Sequence, residues 1–452
     1  MPAAEPNVIL RLGSHAEKDY FLKTVEHWDG LVVGANLLEA APGATSSLIL
    51  KFAGQKHSVP YYIDPMTYAF GTYVQDGVTR TDLDWIKSEQ KVKGDSKKKV
   101  ARLFKRSYRA LAQKFGGAIE GAIQHAAGID TLTPVEIKQL CQSLVEYQLT
   151  RVRDEFAADP EYKDIADHIP PPGAVLAPYF YIDPNNASRG LQLFLDCAAT
   201  TAQTAGQTPT HAVLCTDVST LSAPDFLKRA AELAKKSGVA AVWLWFSRFQ
   251  EEAAELHQLS NFRSFVEDLR ESVGVYNMHG GYFSLALSRF GLNGISHGVG
   301  YGEQKDVIPV IGQSTPTVRY YLPDVRRRLG VPQIERAFKS LGVETPNDFF
   351  DKVCGCSICR GVIKTSITQF ASFGDLHYSS ENSKRMAQTP AAAQRCRFHF
   401  LLNRIRERDV VHGQTAADIA NDCRRAYNKW AKQPTVSSDA SHLLRWETVF
   451  RV

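Results

Sequence analysis

The sequence predicts an α/β protein, a (β/α)8 TIM barrel with a separate C-terminal helical module. Short apolar runs recur between about residues 20 and 312, and amphipathic stretches such as residues 223–238 lie between them. After about residue 340 the pattern is helical, with three closely spaced cysteines. Runs that are apolar on both faces and alternate with amphipathic helices are typical of parallel βα units. We predict the barrel in residues 1–340 and the module in residues 341–452.

Seven or eight strands are predicted from the apolar runs. They are "GLVVGANLL", "HSVPYYIDP", "VLAPYFYIDP", "THAVLCTD", "AAVWLWFS", "VGVYNMHGG" and "GISHGVGYG". A doubly wound open sheet would use the same units, but no G-x-G-x-x-G follows the first strand to support dinucleotide binding. The number of units therefore favours the barrel.

Length and composition are those of an ordinary globular protein. The chain has 452 residues, 44% hydrophobic and 22% charged, with a net charge of +5. No apolar run approaches the roughly 18 to 20 residues that a membrane span needs, and the N-terminal residues do not form a signal peptide. We expect a cytoplasmic protein without membrane contact, whose isolated cysteines are free thiols.

A basic insertion is predicted at about residues 88–118. Residues 91–114 carry ten Lys or Arg and one Asp, with Phe104 and Tyr108 interleaved. Such a block repels itself unless an anion neutralises it, so a nucleic-acid backbone is a natural partner. The alternative is a solvated helix that follows a lysine-rich loop. The predicted nucleic-acid contacts are Lys97, Lys98, Lys99, Arg102, Lys105, Arg106 and Arg109.

The segment "CGCSICR" is a candidate metal site. Cys354, Cys356 and Cys359 form C-x-C-x-x-C, which lets three thiolates converge on one ion. Zinc prefers four tetrahedral nitrogen or sulfur ligands, so a fourth ligand is required. His399, in the first turn of a helix predicted from "RFHFLLNRIRERD", is favoured over His377, and Cys396 is a weaker candidate. An iron–sulfur cluster would require a fourth thiolate and usually another spacing.

Two aromatic strands end in Asp-Pro, at Asp64 and at Asp183. Catalytic groups of a barrel lie at the C-terminal ends of its strands, so both aspartates are site candidates. The alternative is that each Asp begins a turn. The other strand ends supply further polar or glycine candidates: Asn36, Asp217, Ser247, Arg248, His279, Gly280, Gly281 and His297.

These features resemble the tRNA-guanine transglycosylase family, zinc-bearing (β/α)8 enzymes that exchange guanine for a deazaguanine base in a nucleic acid. "CGCSICR" looks like the family's cysteine motif, which implies His399 as the fourth zinc ligand. "VPYYIDPMTYAFG" is similar to the strand that carries the first active-site aspartate, which implies that role for Asp64. "YFYIDPNNAS" lies where the family recognises the base, which places Asp183 there. Residues 214–252 follow the rhythm of its Gln-Gly strand, helix and Gly-Gly-Leu strand.

The chain also departs from the family pattern. Pro-Met-Thr-Tyr follows Asp64 in place of Ser-Gly-Gly-Phe, and "WLWFS" replaces Gly-Gly-Leu. The strand expected to carry the nucleophilic aspartate, "GISHGVGYGE", offers Ser296, His297 and Glu303 but no Asp. These departures favour the branch of the family that modifies DNA over tRNA.

The expected function is therefore base exchange, in which a 7-deazaguanine base replaces guanine by attack at C1′. We expect Asp64 to act as the attacking carboxylate and His297 to aid proton transfer. Asp183 would hold the flipped-out base, with Asp217, Ser247, Gly280 and Gly281 around it. We expect the partners to be DNA or tRNA, the 7-deazaguanine base, and a partner protein or a second copy of the chain.

Two alternatives remain at this level. A catalytically silent nucleic-acid-binding subunit would keep the barrel and the zinc while lacking the nucleophilic Asp. An unrelated barrel hydrolase with a structural zinc would need only the bulk pattern. Two carboxylates that meet in one pocket would favour the enzyme, and a filled barrel mouth would favour the binding subunit.

Overall fold

The computed structural model describes residues 5–55, 59–70, 106–119, 132–300, 302–307, 317–378 and 386–451. Within these ranges the chain forms a (β/α)8 barrel followed by a helical module, as the sequence predicts. No helix in these ranges combines the length and the apolar character that a membrane crossing requires.

Eight parallel strands form the barrel. They are β1 (Asn7–Leu12), β2 (Gly30–Gly34), β3 (Tyr61–Asp64), β4 (Val175–Leu176), β5 (Thr210–Asp217), β6 (Ala241–Ser247), β7 (Gly274–Asn277) and β8 (Gly294–His297). The strand order is β3-β2-β1-β8-β7-β6-β5-β4. Between the outer strands β3 and β4, the Gly173 amide donates to the Tyr61 carbonyl at 2.9 Å, which nearly closes the barrel.

Helices surround the strands. In chain order they are α1 (Lys18–Lys23), α2 (Ala35–Ala40), α3 (Pro42–Gln55), α4 (Arg106–Phe115), α5 (Pro134–Ala157), α6 (Lys163–Ala166), α7 (Ala187–Ala205), α8 (Pro224–Lys236), α9 (Leu256–Leu269) and α10 (Tyr282–Ala286). The start of α5 follows from its sequence: Thr133 and Glu136 form a capping box, and Pro134 occupies the first turn. Long amphipathic helices of this kind cover the outer face of the barrel.

The two faces of each barrel strand have different surroundings. On β1, Val8 and Leu10 belong to the large core between the strands and the helices. Ile9 belongs to a second core inside the barrel, with Val32 and Trp243. Because side chains alternate along a strand, Arg11 shares the inward face with Ile9. The register of paired strands extends this assignment around the sheet.

Beyond β8, the described residues form two hairpins and six α-helices. They are β9 (Tyr320–Leu322), β10 (Arg327–Leu329), α11 (Val331–Leu341), α12 (Pro346–Lys352), α13 (Ser357–Val362), β11 (Leu376–Tyr378), β12 (Met386–Gln388), α14 (Pro390–Gly413), α15 (Ala416–Trp430) and α16 (His442–Phe450). The β9–β10 hairpin packs against α14, where Glu407 accepts hydrogen bonds from Tyr321 at 2.7 Å and Arg326 at 3.0 Å. A buried charged contact thus joins the hairpin to the helix.

Candidate functional site

Four donors in the C-terminal module form a group that could hold a metal ion. The sulfurs of Cys354, Cys356 and Cys359 and a ring nitrogen of His399 all lie within 4.8 Å of one another. The cysteines come from the turn between α12 and α13 and from the first turn of α13. We name this group the metal cluster. The structure brings together the three cysteines and His399 that the sequence predicts, whereas the sequence alone left His377 open.

The position of His399 on its helix differs from the prediction. Helix α14 begins at Pro390, capped by the Thr389 side chain, so His399 lies in its third turn and not in its first. The helix starts earlier because Thr389 and Pro390 supply a strong start signal upstream of the apolar run. His399 still reaches the cluster because the turn between α12 and α13 packs against the middle of α14.

Neighbouring groups orient the His399 ring. Its Nε2 atom lies 2.7 Å from the Tyr321 carbonyl oxygen, to which a protonated Nε2 donates. Its Nδ1 atom then faces the sulfurs of Cys356 at 3.3 Å and Cys359 at 3.4 Å. The Tyr320 ring stacks on His399 at 4.1 Å, and the Tyr320 hydroxyl lies 3.2 Å from the Cys359 sulfur. The hydrogen bond from Nε2 to the Tyr321 carbonyl selects the tautomer of His399 that leaves Nδ1 available to a metal.

The cluster favours the thiolate of Cys354, while burial raises the pKa of the Cys359 thiol. Hydrogen bonds from Cys356 and Cys359 hold the pKa of the Cys354 thiol well below its ordinary value. The Cys359 backbone amide donates to the Cys356 sulfur at 3.4 Å. Because the thiolate is the form that binds metals, these contacts prepare the donors for an ion.

A second site lies at the barrel mouth, by which we mean the C-terminal end of the eight strands. Asp64 ends β3 on the inward face and is 1% exposed. Its Oδ2 accepts from Arg11 Nη1 at 2.7 Å, and its Oδ1 accepts from the Tyr179 hydroxyl at 2.7 Å and the Met66 amide at 3.0 Å. The carboxylate is therefore fixed by donors on both oxygens.

Local structure positions the Tyr179 donor. The Thr67 hydroxyl donates to the Tyr179 carbonyl at 2.7 Å and accepts from the Tyr179 amide at 2.8 Å. This reciprocal pair joins the loop after β3 to the segment after β4. Met66, which immediately follows Asp64 and Pro65, has φ of 58°, a left-handed conformation that non-glycine residues adopt rarely. Such backbone strain often marks a functional turn.

Aromatic rings and a lysine line the barrel mouth beside Asp64. The Tyr68 ring stacks on Tyr179 at 5.7 Å and meets the Trp245 ring edge-on at 4.7 Å. The Lys305 ammonium lies 5.3 Å from the Tyr68 ring centroid and 5.2 Å from that of Trp245. The centroid of the His279 ring lies 4.9 Å from that of Trp245. Burial is the main cause that lowers the pKa of Lys305 to about 8, and the Arg11 charge adds to it.

Asp217 also lies on the inward face at the barrel mouth. Its Oδ2 accepts from the Tyr181 hydroxyl at 2.8 Å and from Arg248, and its Oδ1 accepts from the Ser219 amide at 2.9 Å. Burial raises the pKa of Asp217, but the hydrogen bonds from Ser219, Arg248 and Tyr181 outweigh burial and hold it below its ordinary value. Arg248 has φ of 66°, so a second strained residue follows a barrel strand.

Asp183 makes the hydrogen bonds of a turn. Its Oδ1 accepts from the backbone amides of Asn185 at 2.7 Å and Asn186 at 3.1 Å. The Asn186 side chain accepts from the Asp183 amide in return, at 2.9 Å. These contacts start α7, which is the turn alternative that the sequence left open. Base recognition by Asp183 stays a prediction.

Three other predicted base-binding residues make contacts within the protein. Ser247 accepts from the Val307 amide at 3.0 Å and so fastens the loop after β8. Gly281 donates its amide to the buried carboxylate of Glu251 at 2.7 Å. A Cβ atom at Gly280 would lie 2.8 Å from the Ile295 side chain, so this glycine permits close packing. Their contact with a base stays a prediction.

His297 lies on the outward face of β8. It pairs in register with Leu10, which faces the helices. The centroid of its ring lies 6.2 Å from that of Trp28 and 5.3 Å from that of Phe400. The structure therefore does not bring His297 together with Asp64, because one position along a strand changes the face. Burial lowers the pKa of His297 to about 4.

Most of the basic insertion lies outside the described residues. This applies to Lys97, Lys98, Lys99, Arg102 and Lys105, and also to the side chains of Arg106 and Arg109. Helix α4 places its buried residues Leu111 and Phe115 against the barrel, with Phe115 in contact with Phe70 and Tyr147. The nucleic-acid contacts of the insertion stay predictions.

Sequence reasoning missed Arg11, Tyr179 and Lys305. A signal for Arg11 was present, since it is the one charged residue in the otherwise apolar run of β1, "NVILRL". Lys305 lies in the loop after β8, which carries no motif.

A comparison with models of known protein families finds no match to this chain. No curated protein matches it significantly either.

Proposed function

We propose that the protein is a base-exchange transglycosylase that acts on a nucleic acid, with DNA favoured over tRNA, and replaces guanine by a 7-deazaguanine base. The observation that carries the proposal is the inward-facing Asp64, held by Arg11 and Tyr179 among aromatic rings at the barrel mouth. Barrel enzymes place their reacting groups at this end. The resemblance in sequence supplies the reaction.

In the proposed reaction, a flipped-out nucleotide places its C1′ against Asp64. The bond between C1′ and N9 of guanine breaks with its electron pair on N9, and a bond forms between C1′ and a carboxylate oxygen of Asp64. The departing guanine takes up one proton. The incoming base then loses its N9 proton, attacks C1′ and displaces Asp64. Tyr68 and Trp245 offer ring faces on which a planar base could stack.

Zinc is the metal that we propose for the cluster. Three cysteine sulfurs and one histidine nitrogen are the donor set of structural zinc sites, and four protein ligands leave no position for substrate. Zn–S bonds of about 2.3 Å in a tetrahedron place the donors roughly 3.5 to 3.8 Å apart. The separations of 3.3 and 3.4 Å between His399 Nδ1 and two of the sulfurs lie just below this range, so small shifts of these side chains would complete such a site. Zinc would fix the turn between α12 and α13 to α14.

A second candidate is a catalytically silent nucleic-acid-binding subunit. It is favoured by the nearly complete burial of Asp64 and by the donors that occupy both of its oxygens. The packed rings of Tyr68 and Trp245 favour it as well. In this case Asp64 would serve to neutralise Arg11 within the barrel.

Labelled deazaguanine and nucleic acid would distinguish the two candidates. Wild-type protein, Asp64→Asn and the surface control Asp268→Asn are incubated with label and either duplex DNA or tRNA. We expect label to enter DNA with wild type and Asp268→Asn, and a loss of at least about a hundredfold with Asp64→Asn. Metal content and circular dichroism verify that the variant is folded.

Each other outcome rejects a part of the proposal. Label that enters tRNA alone would contradict the preference for DNA. Full incorporation by folded Asp64→Asn would remove Asp64 from the reaction. Absence of label with a wild-type protein that still binds nucleic acid in a salt-dependent manner would favour the silent subunit.

A further inference from the structure

In the part of the barrel mouth around Asp64, two cations face one carboxylate, since Asp217 is already paired with Arg248. Arg11 and Lys305 lie there with the carboxylate of Asp64, and His279 lies beside them. Successive contacts connect these groups. Asp64 contacts both Arg11 and Tyr179, and the Tyr179 ring packs on Tyr68. The Tyr68 ring in turn meets Trp245, which contacts Lys305 and His279. Burial of an unbalanced charge is costly unless a counter-charge accompanies it.

Donor atoms at this place have no partner among the described residues. They are the Nε and Nη2 atoms of Arg11. Arg11 is 8% exposed, so water does not readily replace the missing partners. The great majority of buried polar groups are hydrogen-bonded, and exceptions require an explanation.

The loop that carries Lys305 is fixed in place. The indole nitrogen of Trp245 donates to the Lys305 carbonyl at 2.8 Å, and the Val307 amide donates to Ser247 at 3.0 Å. Both anchors belong to β6. The lysine is thus held at the barrel mouth by strand residues, and its ammonium group lies over two aromatic rings.

We propose that Arg11 and Lys305 form a binding site for the oxyanion of a ligand, a carboxylate or a phosphate. Such a group would supply the counter-charge and the acceptors that the two side chains require. The packed aromatic rings of Tyr68 and Trp245 flank the Lys305 ammonium. The site does not depend on base exchange, because binding alone satisfies these groups.

The pH dependence of binding gives the site a signature. Burial and the Arg11 charge lower the pKa of Lys305 to about 8, while Asp64 and Cys215 act in the opposite direction. His279 is neutral at this pH, since burial, Arg11 and Lys305 hold its pKa well below the ordinary value. Anion affinity should therefore be high below pH 8 and decrease as the pH rises above 8 and Lys305 loses its proton.

Tryptophan fluorescence of the full chain, excited at 295 nm, would report binding through Trp245. The probes are inorganic phosphate, benzoate and the neutral benzamide. We expect wild type to bind at least one of the two anions at least tenfold more tightly than benzamide. Preference for benzoate would identify a carboxylate on a ring as the ligand group, and preference for phosphate would identify a phosphate.

Variants test the residues. Lys305→Gln should lower anion affinity about tenfold or more, whereas Lys235→Gln, a surface control, should leave it unchanged. Lys305→Arg should retain binding and lose the decrease above pH 8, since arginine keeps its charge. Equal affinity for benzamide and both anions in wild type would overturn the proposal, as would anion binding unchanged by Lys305→Gln. The experiment measures binding and not turnover. Its outcome is therefore independent of whether the protein catalyses base exchange.

Discussion

Replacement of Glu407 by glutamine should destabilise the C-terminal module strongly. Glu407 is 4% exposed and forms ion pairs at 3.0 Å with both Arg326 and Arg404, and it accepts from the Tyr321 hydroxyl at 2.7 Å. Glutamine has nearly the same shape but no charge. The Arg404 guanidinium would stay buried and that of Arg326 largely so, and among the described residues only Arg404 has a further ion pair, with Glu303. Removal of one member of a buried ion pair costs about 3–5 kcal/mol.

Urea unfolding of the metal-loaded protein, followed by tryptophan fluorescence, would measure this change. We expect Glu407→Gln to lower the free energy of unfolding by about 3–5 kcal/mol. The matched control is Asp268→Asn, which breaks the exposed pair with Lys235 and should cost no more than about 1 kcal/mol. A loss below about 1 kcal/mol with Glu407→Gln would refute the reasoning, because it would mean that the two arginines find other compensation.

The same substitution should also weaken metal binding. Tyr321 contacts Glu407 through its hydroxyl and His399 through its carbonyl, so the hairpin transmits the change to a ligand. Loss of a group that orients a metal ligand typically lowers affinity about 10- to 100-fold. Competition with a chromophoric chelator would measure it, and an unchanged affinity would separate the ion-pair network from the cluster.

Two further predictions concern pH and metal content. Burial lowers the pKa of three histidines to about 3 or 4, so below pH 6.5 the unfolded chain binds more protons than the folded one. The contribution of these histidines to the free energy of unfolding should therefore be complete above pH 6.5 and decrease between pH 6.5 and 4. The decrease should reach up to about 1.4 kcal/mol per pH unit for each histidine. Replacement of one of them by glutamine should reduce this slope in urea unfolding, and an unchanged slope would contradict it; the three are His211, His297 and His442. Cys356→Ser should lose the proposed zinc, as measured by metal analysis, whereas Cys423→Ser, at a buried thiol outside the metal cluster, should keep it.

The cysteines of the metal cluster could be predicted from the sequence because their spacing is local. Three thiols within six positions converge whatever the rest of the chain does, and this restricts the ligand chemistry. The fourth ligand is different. His399 lies 40 residues beyond Cys359, and only the packing of α13 against α14 selects it over His377. The alternation of apolar and amphipathic stretches likewise determined the barrel, since each unit carries its own pattern.

The tertiary structure decided which polar groups meet. Arg11 and Asp64 are 53 residues apart and lie on strands that do not pair directly, so no local pattern joins them. His297 is a residue type that often serves in catalysis, and it lies at a strand end. Its position in register with Leu10 nevertheless directs its side chain to the helices. Side chains on a strand change face with each residue, and a sequence pattern rarely fixes the register to one position. The sequence therefore determined the thiols and the seven strands β2 to β8 but not β1, while the strand register and the closure of the barrel decided the chemistry of its mouth.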